Sequence, residues 1–194
     1  EKPFAVMVTN AASCALLAEA DDAERALLES PERPIVLLRQ RAGCETALPG
    51  VAPGMTTLGV MLPSSPLHLL LFHEAAGRPS GTDWLDAPHS LVLVMTSANP
   101  GGEPLVIAND EAVERLGAIA DCLLVHDRDV LIRCDDSVVR SAAIGSGRSA
   151  LKSAPAFVRR ARGYTPIPIR LASGGPSILA VGALVTGSIW ARGS

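Results

Sequence analysis

The chain has 194 residues, a formal net charge of −3, 48% apolar residues and only 3% aromatic residues. This length buries a substantial core without disulfides or a structural metal, and the scarcity of aromatic residues indicates a core of Leu, Val, Ile and Ala, as in an α/β domain. No apolar run approaches the ~18 residues of a membrane-spanning helix and the first residues are not a signal peptide, so we expect a soluble protein that does not bind membranes.

In the first half of the chain, apolar periodicity predicts a buried strand, a long helix capped by Asn10, two more strands and a short helix. In chain order these segments are Phe4–Thr9, Ala11–Ser30, Pro34–Gln40, Thr57–Leu62 and Pro66–Ala75. The connections Gly43–Thr56 and Ala76–His89 are rich in Gly and Pro, and we expect both to be loops.

In the second half, Leu91–Thr96 is a predicted strand, and Asn109 or Asp110 is the predicted cap of a helix that reaches about Ile119. Apolar runs predict three further strands, and a segment rich in Gly, Ser and Ala predicts one flexible loop. The strands are Cys122–His126, Ser137–Ala143 and Ser177–Ala183, and the loop is Ala142–Ala156.

The charges are distributed unevenly. All 20 acidic residues lie within residues 1–140, whereas residues 141–194 contain only basic ones. The seven bases there are Arg148, Lys152, Arg159, Arg160, Arg162, Arg170 and Arg192. This asymmetry predicts a C-terminal segment that faces an anion, with a solvated tail as the alternative, and the acidic body disfavours double-stranded RNA or DNA without excluding it.

No metal site is predicted. Cys14, Cys44, Cys122 and Cys134 include no Cys-x-x-Cys pair, which favours buried thiols in a reducing cytoplasm. His68 and His73 are five residues apart, so they do not share one face of a helix as residues at i and i+4 do.

Two stretches concentrate hydrogen-bonding groups directly after apolar segments. They are VMTSANPGGEP at 94–104 and HDRDVLIRCDDSVVR at 126–140. Such stretches bring backbone N–H groups, serine hydroxyls and guanidinium groups close to an anion, as phosphate-binding loops do. Two surface turns are the alternative, because Gly, Pro, Asn and Ser also form ordinary turns.

Both stretches resemble motifs of the YrdC-like domain of HypF, the carbamoyltransferase of hydrogenase maturation, which read TSxNxSGEP and HDRDIxxRxDDSVVR. Three more matches lie in the same order: KPFAVMV at 2–8, the segment 53–68, and RRARGY at 159–164. The resemblance implies an α/β fold with a twisted, open mixed β-sheet flanked by helices and a concave basic face. It also implies that residues 1–170 are a YrdC-like nucleotide- and carbamoyl-binding domain, incomplete at its N-terminus. Residues 171–194 would be a linker and the start of a Kae1-like domain.

The resemblance implies an activity as well. The domain would bind ATP, Mg²⁺ and carbamate derived from carbamoyl phosphate, and it would form carbamoyl-adenylate. The complete protein, with acylphosphatase, zinc-finger and Kae1-like domains, would pass the carbamoyl group to the C-terminal cysteine of its partner HypE. The isolated chain is an enzyme on this interpretation, although the missing N-terminal segment leaves open that it is inactive.

Matching positions supply the expected site. The resemblance implies Ser137 and Arg159 as catalytic residues and three residues for the acyl group, namely Met61, Pro63 and Ser137. It implies these nucleotide-binding residues: Lys2, Thr96, Ser97, Asn99, Ser137, Arg140 and Arg159. Asp135 and Asp136 are expected either to pair with Arg133 and Arg140 or to hold Mg²⁺, and strand alternation predicts that at most one of them faces the ligand.

Two alternatives stay open. The first is formation of threonylcarbamoyl-adenylate for tRNA modification, since the synthases of that reaction resemble this domain. They usually carry an arginine for the threonine carboxylate where this chain has Met61, which cannot pair with a carboxylate. The second is a non-catalytic module that binds RNA or a partner protein through the basic C-terminal segment.

Overall fold

The computed structural model describes residues 3–144, 152–169, 178–180 and 189–191. The chain divides into two compact units, one formed by Glu1–Ser97 with Cys134–Thr165 and the other by Ala98–Arg133 with Pro166–Ser194. Among the described helices, none combines the length and the apolar character that crossing a membrane requires.

The first unit contains a seven-stranded sheet. Its strands are β1 (Ala5–Met7), β2 (Ala18–Glu19), β3 (Ile35–Gln40), β4 (Thr57–Met61), β5 (Leu93–Met95), β6 (Val138–Ile144) and β7 (Lys152–Arg159). They lie in the order β5-β1-β4-β3-β6-β7, with β2 also paired to β3. The pairs β1–β4 and β3–β6 are parallel and the others are antiparallel, so the sheet is mixed and open, which confirms the expected fold class. The basic character of its concave face stays a prediction.

Four helices and one short 3-10 turn accompany this sheet. They are α1 (Ala11–Cys14), α2 (Asp22–Glu29), α3 (Cys44–Ala47), α4 (Pro66–Ala75) and the turn Asp83–Leu85. The second unit contains α5 (Asn109–Leu116) and a two-stranded antiparallel sheet of β8 (Ile178–Ala180) and β9 (Ile189–Ala191).

The main core lies on one face of the large sheet. Residues that point to this face are fully or almost fully buried: Val6 in β1 and Val8 directly after it, Val36 and Leu38 in β3, Leu58 and Val60 in β4, and Val139 in β6. Leu28 of α2 packs against them, as does Cys14 at the end of α1. Burial raises the pKa of the Cys14 thiol to about 11, which keeps it protonated. The predicted aliphatic core is therefore confirmed.

The opposite face is covered over only part of its area. There Met7 of β1 and Met61 of β4 pack against Phe72 of α4, with Trp84 and Leu93 at the margin. Met7 and Met61 are register partners, so α4 covers one row of the sheet. In the next row outward, Ala5 and Gly59 have smaller side chains and are not part of this cluster.

The predicted helix Ala11–Ser30 is wrong, because the chain forms α1, β2 and α2 there. The side chain of Asp21 accepts a hydrogen bond from Glu24 N, and the Glu24 carboxylate accepts one from Asp21 N, which is a capping box that starts a new helix. Ahead of it, Ala18 is buried and pairs with Gln40 of β3. A single apolar pattern thus contained two helices and an edge strand.

Three other predictions also need correction. Most of the predicted loop Ala142–Ala156 is a strand pair, since β6 and β7 pair in one register from Val139 to Ile144, and only residues 145–151 lie outside the description. Small residues pair there through backbone hydrogen bonds, which need no apolar alternation. The predicted strand Cys122–His126 is irregular. Helix α5 begins after Ala108 rather than after Asn109 or Asp110, and the side-chain amide of Asn109 donates to His126 O instead of capping the helix.

Gly163 offers a test of how the end of β7 is held. Its φ of +87° is left-handed, and a Cβ atom there would lie 2.6 Å from Glu32 O. We expect Gly163→Ala to lower the free energy of unfolding by about 2 kcal/mol or more, measured by urea denaturation. Gly50→Ala is the matched control, because Gly50 has a φ of +78° but no atom within 4 Å of the added carbon. Equal losses in the two variants would contradict the close approach to Glu32.

Candidate functional site

A cavity lies on the uncovered part of the large sheet, on the face opposite the main core. One register row crosses four strands there, with Met95 in β5, Ala5 in β1, Gly59 in β4 and Leu37 in β3. The row beside it is the one that α4 covers. Since helix cover stops at that row, the sheet itself forms the floor of the cavity.

The cavity has a volume of about 530 Å³, within the range of small-molecule sites. Most of its lining is apolar, and the apolar residues are Pro3, Phe4, Ala5, Ile35, Leu37, Met55, Gly59, Met95, Val138 and Val158. The polar lining residues are Thr57, Thr96, Ser97, Asp135, Asp136 and Arg159. A few polar groups on an apolar surface are the usual composition of a ligand pocket.

Apart from Thr57 of β4, the polar lining residues form two sets on different sides of the floor. Thr96 and Ser97 directly follow β5, whereas Asp135 and Asp136 precede β6 and Arg159 ends β7. Three strands separate β5 from β6 in the sheet, which corresponds to roughly 19 Å at the usual strand spacing. A ligand that contacts both sets therefore has to extend across the apolar floor.

Arg159 is the cation of the cavity lining. Its Nη1 lies 3.6 Å from Asp135 Oδ1, and both side chains remain partly exposed. A pair that is open to solvent holds its geometry weakly, so the guanidinium stays accessible to an anion that enters the cavity. Its planar fork suits the bidentate recognition of phosphate oxygens.

Asp136 is held by Arg162. The Nε atom of Arg162 donates to Asp136 Oδ1 at 2.7 Å, and its Nη2 donates to Arg33 O at 2.9 Å. The expected pairing of the two aspartates with Arg133 and Arg140 is thus wrong, because the chain after β7 returns to the start of β6 and presents Arg159 and Arg162 instead. The sequence led us to expect one of Arg160 and Arg162 to point toward the site, but not the pairing of Arg162 with Asp136, since this contact depends on the return of the chain.

Both aspartates line the cavity, contrary to the expectation that at most one would. The alternation argument fails because β6 begins only at Val138, while Asp136 makes an isolated bridge to Arg162 and lies outside the regular ladder. Residues before a strand do not follow its alternation.

Ser137 is completely buried and is not among the lining residues of the cavity. Its hydroxyl accepts a hydrogen bond from Ala161 N at 2.8 Å and donates one to Arg162 O at 2.9 Å. These bonds join the start of β6 to the segment that follows Arg159. The catalytic and ligand-binding roles expected of Ser137 stay predictions, and the structure gives it a positioning contact.

The other expected site residues lie in several places. Met61 is buried beneath α4 with Met7, and Pro63 is half-buried in the connection from β4 to α4. Arg140 is exposed on β6, and none of these three lines the cavity. Asn99 belongs to the second unit, where its amide nitrogen donates to Glu103 O at 2.7 Å and its buried oxygen has no protein partner. Lys2 lies outside the described residues.

His68 of α4 is held in its neutral form. Burial lowers its pKa from 6.5, the nearby charge of Arg162 lowers it further, and the Asp136 carboxylate opposes both effects. The backbone N–H of Ser64 donates to His68 Nδ1 at 3.3 Å, so the ring proton resides on Nε2. A neutral imidazole beside Arg162 adds no repulsion to the Arg162–Asp136 pair.

A cation would find few ligands in the described part of the chain. No group of three or more His, Cys, Asp or Glu side chains converges within those residues. In the cavity the carboxylates are Asp135 and Asp136, each beside an arginine. Two carboxylates that already pair with arginines are too few for a cation site built from protein ligands alone. They fit an Mg²⁺ ion that arrives with a nucleotide and keeps its waters and phosphate ligands.

The chain is similar to known proteins over nearly its whole length. The model of the Sua5/YciO/YrdC family, described as "Telomere recombination", matches residues 1–152. Carbamoyltransferase HypF2 of Cupriavidus necator is 62% identical over 182 residues, which are 94% of this chain and 22% of the relative. Carbamoyltransferase HypF of Rhizobium leguminosarum bv. viciae is 48% identical over 184 residues, again 94% of this chain and 22% of the relative.

Solved structures give the same result. A crystal structure of full-length HypF in the phosphate- and nucleotide-bound form has a TM-score of 0.77 at 36% identity, covering 99% of this chain and 22% of that one. The structure of HypF from T. kodakarensis has a TM-score of 0.69 at 37% identity, covering 90% of this chain and 20% of that one. The chain therefore spans 22% of the length of the first relatives it matches. It belongs to the Sua5/YciO/YrdC family and corresponds to the YrdC-like domain of the HypF carbamoyltransferases.

Proposed function

We propose that this chain binds ATP in the cavity and forms carbamoyl-adenylate from carbamate that is derived from carbamoyl phosphate. The observation that carries the proposal is the shared cavity: Thr96, Ser97 and Arg159 come from distant parts of the sequence and line one hollow of nucleotide-compatible size. The relatives are named carbamoyltransferases, and one similar structure is described as phosphate- and nucleotide-bound. Both facts support a nucleotide in this cavity.

The proposed reaction is a displacement at the α-phosphorus of ATP. A carbamate oxygen forms a bond to that phosphorus, the bond to the bridging oxygen breaks, and pyrophosphate leaves with the electron pair. Carbamate is already an anion, so the nucleophile requires no general base. Positioning and charge neutralisation remain as the tasks of the protein.

Three side chains have the chemistry for those tasks. The Arg159 guanidinium neutralises phosphate charge and directs two parallel N–H donors at the oxygens. The hydroxyls of Thr96 and Ser97, on the other side of the floor, donate to a further oxygen of the nucleotide. Mg²⁺ would neutralise charge on the phosphates. Once Arg159 turns to the ligand, the Asp135 carboxylate would be available to the ion, whereas Asp136 stays paired with Arg162.

The complete protein would use the product in a further transfer. We propose that other HypF domains of the acylphosphatase, zinc-finger and Kae1-like types act with this one, and that the carbamoyl group passes to the C-terminal cysteine of a HypE-type protein in the cytoplasm. Residues 171–194 would then lead into the Kae1-like domain. These partners rest on the resemblance to HypF and on the names of the relatives.

The role of Arg159 can be tested by substitution. We expect Arg159→Ala to weaken ATP binding about tenfold or more, because a charge-assisted hydrogen bond to phosphate contributes about 1.5–3 kcal/mol. Arg159→Lys should retain part of the affinity but not the bidentate geometry. The measurement is isothermal titration with ATP and Mg²⁺.

Arg78→Ala is the matched control for that titration. Arg78 is a strongly exposed arginine after α4, its carboxylate neighbour is Glu74 at 2.8 Å, and it does not line the cavity. If both arginine variants bound ATP as the unmodified chain does, the assignment of phosphate to Arg159 would be wrong.

Ser137→Ala tests the link between β6 and the segment after Arg159. Loss of the hydroxyl leaves Ala161 N without its acceptor, so we expect an unfolding free energy lower by about 1–3 kcal/mol and weaker ATP binding in a chain that still folds. Urea denaturation and ATP titration measure the two effects. Ser80→Ala, at an exposed loop position, should change neither. Unaltered stability in Ser137→Ala would show that these hydrogen bonds contribute little.

The acyl substrate separates this proposal from its closest rival. We expect ATP-dependent release of pyrophosphate with ammonium carbamate and none with threonine plus bicarbonate, because the buried Met61 offers no charge to a threonine carboxylate. The measurement is a coupled pyrophosphate assay, and threonine alone in a calorimeter should give no binding heat. Release that depends on threonine would favour threonylcarbamoyl-adenylate formation instead.

A further inference from the structure

A second cavity, the α1–α2 cavity, lies on the main-core side of the large sheet, where α1, β2 and α2 meet. Its volume is about 250 Å³, less than half that of the cavity on the opposite face, and the two share no lining residue. An apolar cavity of roughly 150 Å³ is enough to hold benzene. The α1–α2 cavity therefore has room for a small organic molecule and is too small to enclose a nucleotide.

Most of the wall of the α1–α2 cavity is small and apolar. Four alanines, one leucine and one cysteine form it, namely Ala11, Ala15, Ala18, Ala20, Leu28 and Cys14. Cys14 is 1% exposed, and burial raises the pKa of its thiol to about 11, so the thiol adds no negative charge to the wall. A hydrocarbon group that enters the cavity gains by leaving water.

Two arginines line the same cavity, Arg25 of α2 and Arg41 directly after β3. Among the described residues, neither guanidinium pairs with a carboxylate. Arg41 is also held in place, because its Nη1 donates to Ala15 O at 2.6 Å and its backbone N–H donates to Leu17 O at 2.9 Å. A guanidinium that is already oriented loses less freedom when it binds an anion.

The acidic residue of this lining already has a cation beside it. Glu19 of β2 has its Oε2 atom 3.8 Å from Arg39 Nε, across the pairing of β2 with β3. Two arginines and one glutamate give the described lining a formal charge of +1. This balance favours a ligand with a single negative charge.

We propose that the α1–α2 cavity is a second ligand site, which takes a small monocarboxylate with an apolar body. Arg25 and Arg41 hold the carboxylate, since the N–H donors of a guanidinium match its two oxygens, and the alanine wall receives the hydrocarbon. A bare inorganic anion is disfavoured, because it would lose hydration against that wall. The inference goes beyond the proposed function and does not depend on it.

Three probes separate the charge from the apolar body. Benzoate has both, benzamide has the same ring without the charge, and inorganic phosphate has charge alone. The measurement is a titration followed by the ¹H–¹⁵N NMR shifts of residues 11–28. We expect benzoate to bind about tenfold or more tightly than either of the other two, because it alone satisfies the arginines and the apolar wall together.

Two substitutions test the assigned contacts. Arg25→Met removes the guanidinium but keeps an apolar stem, and Ala15→Leu fills the cavity, so we expect each to weaken benzoate binding about tenfold. Arg78→Met and Ala12→Leu are the matched controls, since Arg78 is an exposed arginine after α4, Ala12 is an exposed alanine of α1, and neither lines the cavity. Both controls should bind benzoate as the unmodified chain does.

Titration of the same variants with ATP keeps this inference distinct from the proposed function. ATP binding should be unchanged in Arg25→Met and Ala15→Leu, because the two cavities have no residue in common. The inference would be overturned by an unmodified chain that does not bind benzoate, by benzamide or phosphate binding as tightly as benzoate, or by benzoate binding that survives both substitutions. None of these results would alter the Arg159 test of the proposed function.

Discussion

The uneven cover of one sheet face is the constraint on which the site depends. Met7 and Met61 fill one row and are covered by Phe72 of α4, whereas Ala5 and Gly59 in the adjacent row leave the sheet uncovered. The row that α4 covers adds to the core, and the uncovered row makes a hollow. A change of side-chain size over two residues in β1 and β4 thus separates the part of the sheet that contributes to stability from the part that can accept a ligand.

A second requirement is that the segments around the cavity keep their positions. The chain returns from β7 to the start of β6, and Ser137 and Arg162 tie these two places together through short hydrogen bonds. Arg162 also reaches the turn before β3 through Arg33 O. The neutral state of His68 leaves that ion pair without a competing cation. The buried Ser137 and the half-buried Arg162 therefore shape the site, while Arg159, paired with Asp135, keeps a more exposed side chain.

The sequence predicted the strands with strong apolar runs, such as β3 and β4, and the helix α4, which the structure shows to be capped by Ser65. It failed where local patterns were ambiguous: a capping box at Asp21 divided what looked like one helix, and the small residues of β7 showed no alternation. For the site, ordered motifs predicted that Thr96, Ser97 and Arg159 would share a cavity, and they do. The contacts of Arg162 with Asp136 and Arg33 were not visible, because they join distant segments of the chain.

The Arg159–Asp135 pair has a consequence for how the cavity accepts an anion. The guanidinium already has a carboxylate neighbour at 3.6 Å, so an incoming phosphate replaces one anion by another and does not satisfy a bare cation. On the proposed function, the net gain would be the difference between two attractions, together with the favourable rehydration of the displaced Asp135 carboxylate. Such an exchange of counterions between solvent-exposed charges is screened by dissolved salt, which makes the ionic strength of the cell a determinant of occupancy.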